Sequence, residues 1–236
     1  MKIFAKIRFY WGAAVISFVT GALMIPAIHL FPKHKGIIMH KLNSLSMLLM
    51  GAKAVAEGEM DHNADIYLMN HQGIIDIVGM EALQTNHLRW VAKKELFETP
   101  WYGHLLRGGD MISIDRSSKA GLVKLMKEVK VSLEEKHRAV AIFPEGTRAK
   151  GQQLLPFKQG TNMVAKKLGL KVQPVVITGS KWVLNEHDRT GHSGTVHYKF
   201  LPTIDIKEAS DDWYEKIQAT MQQEIDAIYQ TQHRER

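Results

Sequence analysis

From Phe9 to Phe31 the chain runs without a Lys, Arg, Asp or Glu. Wound as a helix, this stretch is about 35 Å long, enough to cross a hydrocarbon core. It lacks the small-x-small cleavage site of a secretory signal; a buried core helix is the plainer alternative. Pro26 lies well inside the run and predicts a kink. The next segment, about Ile37 to Ala56, spaces Ile38, Leu42, Leu45, Leu49, Ala52 and Ala56 by threes and fours. His40, Lys41, Asn43, Ser44 and Lys53 occupy the other faces, the pattern of an interfacial amphipathic helix. Lys2, Lys6 and Arg8 precede the apolar run and Lys33, Lys35 and Lys41 follow it, which predicts both ends on the cytoplasmic side. Residues 1–58 are therefore expected to be a membrane-embedded two-helix unit dipping into one leaflet, with a single crossing as the alternative.

After Gly58 short apolar runs alternate with 3.6-period stretches, the signature of an α/β layer fold. Strands are predicted over Asp65–Met69, Leu88–Ala92, Met111–Ile114, Ala139–Phe143 and Val172–Thr178. Leu122, Leu125, Met126, Val129 and Leu133 form a helical stripe after a Ser117-Ser118 start. A shorter helix over Thr161–Leu168 stops at Gly169. The tail from Asp211 reads as a helix N-capped by Ser210, with Trp213, Ile217, Met221, Ile225 and Ile228 on one stripe. The expectation is one α/β domain over 59–236, a mixed central sheet flanked by helices.

Charge and composition narrow the partners. A net charge of +7 favours an anionic one: nucleic acid, anionic lipid or a phosphorylated substrate. Nucleic acid would ask for aromatic and basic residues interleaved, and no such run is present. With no cysteine, disulfides and thiolate chemistry are excluded. The 12 histidines show no H-E-x-x-H or comparable spacing, so no metal site is expected.

Three short constellations carry candidate chemistry. Asn70-His71-Gln72-Gly73-Ile74-Ile75-Asp76 follows a predicted strand, where open α/β sheets place their sites. If the chain turns through Gly73, Asp76 can return to the His71 imidazole, fix its tautomer and offset the charge it gains as a base. No side-chain nucleophile is needed if a substrate alcohol attacks directly. Phe143-Pro144-Glu145-Gly146-Thr147-Arg148 leaves another strand by a tight turn. Arg148 offers a fork for phosphate, Glu145 can hold that fork or bond a hydroxyl, and Thr147 adds a hydroxyl and an N–H. Ile114-Asp115-Arg116-Ser117-Ser118 sets Arg116 beside a helix start, a reasonable anion site.

These blocks in this order, with Val172-Gln173-Pro174-Val175-Val176 beyond them, make the chain resemble the 1-acylglycerol-3-phosphate O-acyltransferase (lysophosphatidate acyltransferase) family of glycerolipid acyltransferases. The likeness runs from about Asp65 to Ser180 and is strongest from Phe143 to Gly160. Before the Ile114-Asp115-Arg116 block, Gly108-Gly109-Asp110-Met111-Ile112-Ser113 departs from the spacing frequent in bacterial members. The resemblance implies His71 and Asp76 as the catalytic pair. It also implies Arg116, Glu145, Gly146, Thr147 and Arg148 as the binding groups for the acceptor's glycerol phosphate, and assigns Pro174 to the acyl-chain side. The implied reaction moves a fatty acyl group from acyl-CoA or acyl-carrier protein to the sn-2 hydroxyl of 1-acyl-sn-glycerol 3-phosphate, giving phosphatidic acid. No cofactor, metal or nucleic acid is implied; membrane lipids are, with the catalytic domain on the cytoplasmic face of the inner (plasma) membrane. Another lysolipid acceptor, or a non-catalytic membrane lipid-binding protein, is the alternative.

Overall fold

The computed structural model describes residues 2–116 and 118–234; Ser117 of the expected helix start lies outside them. The chain opens with α1 (Lys2–Phe18), a π-helical turn (Val19–Met24) and α2 (Ile25–Leu30). Together they make a run of 29 residues, Lys2–Leu30, long and apolar enough to cross a membrane by length and composition. The kink expected at Pro26 takes the form of this wide turn. The Ile25 N–H reaches back five residues to the Thr20 carbonyl, just ahead of a residue that has no N–H and crowds the preceding turn.

After a 3₁₀ turn (Pro32–His34), α3 (Lys35–Leu49) returns alongside α1. The Arg8 guanidinium donates to the Met50 carbonyl (2.7 Å) and the Trp11 indole to the Leu49 carbonyl (3.0 Å). Helix α3 stops seven residues short of the expected Ala56. Gly51 takes a left-handed φ of 67°, and Ala52–Glu57 becomes β1, paired in parallel with β9 (Gly194–Phe200). The Ala52 and Ala56 spacing suits a helix, but small residues alternating with Lys53 and Val55 suit an edge strand equally.

The remaining strands are β2 (Ile66–Met69), β3 (Arg89–Lys93), β4 (Ile112–Ile114), β5 (Val140–Ile142), β6 (Lys171–Thr178), the hairpin β7–β8 (Leu184–Asn185, Thr190–Gly191) and β10 (Ile204–Asp205). The main sheet runs β1-β9-β6-β2-β5-β3-β4, with β10 also on β6. Its neighbours are parallel except where β6 meets β9 and β10. All five predicted strands are present, within a residue at either end. β1, β9, β10 and the hairpin were not foreseen. β9 nonetheless alternates, with Val196, Tyr198 and Phe200 turned inward. Pro174 is tolerated inside β6 because it falls between the register positions of β10 (Val172) and β9 (Val175).

Helices cover both faces. Strand β2 sends Tyr67 and Met69 into one core and Ile66 and Leu68 into the other, the period of two that a doubly covered strand requires. The first core packs under α1, α3 and α4 (Ile74–Leu83). The second packs under α7 (Lys119–Glu134), α8 (Gln159–Leu168) and α10 (Trp213–Arg234); short helices α5 (Lys94–Glu98), α6 (Tyr102–Gly108) and α9 (Ser180–Val183) complete the chain. The Ser118 hydroxyl caps α7 by accepting the Gly121 N–H (3.1 Å), and Gly169 ends α8 at φ 60°. Helix α10 starts later than expected, at Trp213, and the Ser210 hydroxyl donates to the Asp212 carboxylate instead of capping the backbone.

Candidate functional site

Strands β2 and β5 lie side by side and parallel, so the His71 and Glu145 loops leave the same end of the sheet together. The first loop is tied down before His71. The Asn70 side chain extends the strand ladder sideways, donating to the Ile177 carbonyl (2.9 Å) and accepting its N–H (2.7 Å). The chain then turns through Gly73 into α4. Asp76, in the first helical turn, folds back so that one carboxylate oxygen, Oδ2, accepts three bonds. The donors are the Gln72 N–H (2.5 Å), the Gly73 N–H (2.8 Å) and the His71 ring at Nδ1 (2.8 Å). A carboxylate at Nδ1 places the ring hydrogen there and leaves the Nε2 lone pair free. Asp76 is completely buried, where the N-terminal N–H groups of α4 favour a negative charge.

Two further contacts fix the pair. The His71 ring stacks on Phe143 (centroids 3.9 Å apart, planes 12° from parallel). Beneath α4 the Tyr198 hydroxyl donates to the carbonyls of Ile75 and Asp76 (both 3.1 Å). Tyr198 passes so close that a methyl on Gly79 would stand 2.2 Å from its oxygen, which explains glycine in the middle of that helix.

The second loop begins with a tight turn, the Gly146 N–H bonding the Phe143 carbonyl (3.1 Å), with Pro144 at its second position and Gly146 at φ 73°. This left-handed residue sends Glu145 and Arg148 different ways. Glu145 turns inward, buried, with Oε1 accepting the His71 N–H and Oε2 the Leu155 N–H (both 2.8 Å). Burial raises its carboxyl to about 7 despite those two donors. Of the two roles the sequence allowed Glu145, holding Arg148 or bonding a hydroxyl, the first is not the one seen: its carboxylate holds the His71 backbone. The Ala149 N–H donates to the His71 carbonyl (2.8 Å), so the two loops are stitched together on both sides of the imidazole.

Arg148 points outward and pairs with Glu186, in the β7–β8 hairpin, a residue with no marker in the local sequence. Arg116 reaches across from the end of β4 and donates to the Gly146 carbonyl. Thr147 is exposed between them. Lys181, also unforeseen, donates to the Ala149 carbonyl (2.5 Å), and burial lowers its pKa.

A cavity of about 510 Å³ lies beside His71 and both arginines. Its polar lip carries His71, Arg116, Gly146, Thr147 and Arg148; its depth is apolar, walled by Ile74, Ile77, Trp90, Leu105, Leu106 and Met111 and closed by Met39 of α3. A second cavity of about 750 Å³ between β4, α7 and α8 shares Val91, Lys93, Arg116, Phe143, Gly146 and Thr147 with the first. The arrangement sets an imidazole paired with a buried carboxylate, and two arginines, beside the apolar walls of one cavity. Glu145 lines the second cavity together with Arg116, while its two oxygens accept the backbone N–H groups of His71 and Leu155.

Residues 53–178 match the family model described as Acyltransferase. Over 177 residues the chain is 40% identical to a 1-acyl-sn-glycerol-3-phosphate acyltransferase of Helicobacter pylori (strain J99), covering 75% of this chain and 74% of that protein. It is 30% identical over 193 residues to the Escherichia coli (strain K12) protein of the same name, covering 80% and 77%. The crystal structure of a 1-acyl-sn-glycerophosphate (LPA) acyltransferase from Thermotoga maritima superposes with a TM-score of 0.76 at 20% identity, over 97% of this chain and 98% of that one, and shows the same fold.

Proposed function

The chain belongs to the 1-acyl-sn-glycerol-3-phosphate acyltransferase family, and from that premise we propose that it transfers a fatty acyl group from an acyl thioester to the sn-2 hydroxyl of 1-acyl-sn-glycerol 3-phosphate, forming phosphatidic acid. The observation that carries this reading is the first cavity: a paired imidazole and two arginines at the lip of an apolar slot. His71 Nε2 takes the proton of the acceptor hydroxyl as its oxygen attacks the thioester carbonyl carbon. Asp76 stabilises the imidazolium that results. The tetrahedral intermediate collapses with loss of the C–S bond, and the thiolate leaves as free CoA or carrier-protein thiol, protonated from His71. Arg116 and Arg148 hold the acceptor's phosphate, with the hydroxyl and N–H of Thr147 between them. Gly146 makes the turn that presents these groups, and Glu145 positions the His71 backbone.

The protein works at a membrane, with residues up to Leu49 as its anchor. Ile3, Phe4, Ile7, Trp11, Phe18 and Leu30 expose more than half of their surface, an apolar face that lipid would cover. Both ends of the long helix lie against the α/β domain. A methyl on Gly191 would stand 2.9 Å from the Phe9 nitrogen, and one on Gly108 would stand 2.8 Å from Ile28 Cδ1. A helix held to one domain at both ends lies along the membrane surface; a crossing helix would leave the domain behind. This supports the one-leaflet reading, with the cavity mouth on the cytoplasmic side.

The test is acyl transfer by the purified protein in detergent, with palmitoyl-CoA and palmitoyl-carrier protein offered separately to 1-acyl-sn-glycerol 3-phosphate and to monoacylglycerol. Phosphatidic acid acylated at sn-2, with monoacylglycerol left unreacted, is the expected result. Equal turnover of the phosphate-free acceptor would remove the phosphate from the recognition scheme.

A further inference from the structure

Arg148 lies three residues from Glu145 yet pairs with Glu186, 38 residues further on. Among the described residues Glu186 is the one carboxylate within ion-pair distance of it. The same carboxylate does a second thing: its Oε1 accepts the backbone N–H of Ile74, at the start of α4 (2.8 Å). One side chain therefore bridges the helix that carries Asp76 and the loop that carries Arg148.

Glu186 is not on a free loop. It follows β7, whose Leu184 is buried, and the Asn185 side chain closes the turn by accepting the N–H groups of His187 (3.0 Å) and Asp188 (3.1 Å). On its return the hairpin packs at Gly191 directly against the backbone of Arg8 and Phe9 in α1. The carboxylate is thus delivered from a braced element to an otherwise exposed arginine. An arginine side chain has rotamer entropy to lose, and a fork oriented in advance loses less of it when its ligand arrives. Glu186 bonds one guanidinium nitrogen, Nη1, while Arg148 still lines the cavity with the rest of its five-donor fork.

We propose that Glu186 is a positioning residue for the acceptor. It orients the Arg148 guanidinium toward the lysophospholipid phosphate and holds that guanidinium at a fixed offset from the His71 loop through Ile74. The proposal rests on the assignment of Arg148 to the phosphate made above.

The experiment measures kcat and the acceptor KM for wild type, Glu186→Gln, Arg148→Ala and the double variant. Gln keeps an oxygen for the Ile74 N–H and removes the charge that orients Arg148, so the fold is preserved. Glu186→Gln should raise the acceptor KM about tenfold with kcat within about threefold, and the double variant should be no worse than Arg148→Ala alone. A variant whose only fault was a loosened hairpin would add its defect to that of Arg148→Ala. Full additivity in the double variant therefore overturns the proposal, as does an unchanged KM in Glu186→Gln. A lowered KM overturns it too, because Glu186 would then be competing with the phosphate. An unchanged KM in Arg148→Ala is a different failure: it removes Arg148 from acceptor binding, and with it the premise.

Discussion

Behind His71 lies a floor of buried carboxylates and in front of it a lip of exposed arginines, and the two are held in opposite ways. On the floor, Asp76 and Glu145 are buried, and between them they accept four backbone N–H groups besides the imidazole. At the lip, Arg116 and Arg148 are exposed, and each is anchored through a single guanidinium nitrogen. A proton transfer depends on geometry to a fraction of an ångström, and a crowded, buried network supplies that. An arriving lipid headgroup needs cations with donors to spare, and lightly tethered arginines supply those. Under the proposed roles the floor acts on kcat and the lip on KM, and that is where the division can be broken.

The largest effect is expected on the floor. Asp76→Asn still accepts the loop N–H groups through its amide oxygen but loses the charge that offsets the imidazolium. Single-turnover acyl transfer should fall by about 10²–10⁴-fold with acceptor affinity unchanged. Glu145→Gln presents an NH₂ to one of two backbone N–H groups and shifts the His71 backbone. Its kcat should fall by about 10²-fold, while a change confined to KM would put Glu145 back among the binding groups.

Glu145 also gives a stability test with a definite sign. Its carboxyl is raised by burial from an ordinary 4.5 to about 7. Below 4.5 it is protonated in the folded and the unfolded chain alike. Between 4.5 and about 7 the unfolded chain releases a proton that the folded chain keeps, so this group's contribution to stability falls as pH rises and levels off above 7. Melting temperatures of wild type relative to Glu145→Gln should decline across that window; a flat difference would contradict the burial argument.

The lip should respond more mildly. Arg116→Ala and Arg148→Ala should each raise the acceptor KM about tenfold with kcat within a few fold. Farthest from the chemistry, Phe4→Ser with Trp11→Ser should weaken binding to lipid vesicles about tenfold, measured by sedimentation, and leave kinetics in detergent unchanged.

How much of this was legible in the sequence follows the same line between buried and exposed. The central strands could be read because both their faces are buried, which forces unbroken apolar runs such as Ile66–Met69. The return of Asp76 to His71 was legible from a glycine at the right place between them. The end of α3 was not, because the helical spacing continues through Ala52 and Ala56 and only the left-handed Gly51 breaks it. Glu145 misled for a related reason. Three residues from Arg148 it reads as that arginine's partner or as a bond to a hydroxyl, and the φ of Gly146 turns it away from the first. Glu186 carried no signal at all, since its partnership with Arg148 exists only once the hairpin has folded against α1.

The most direct test of the account is phosphatidic acid formation from 1-acyl-sn-glycerol 3-phosphate and a long-chain acyl thioester by wild type and by His71→Ala, with acceptor binding measured on both. Product from wild type, at least about 10²-fold less from the variant, and equal acceptor binding are predicted. Turnover in His71→Ala within a few fold of wild type would contradict the account and leave the His71–Asp76 pair a structural feature of the loop.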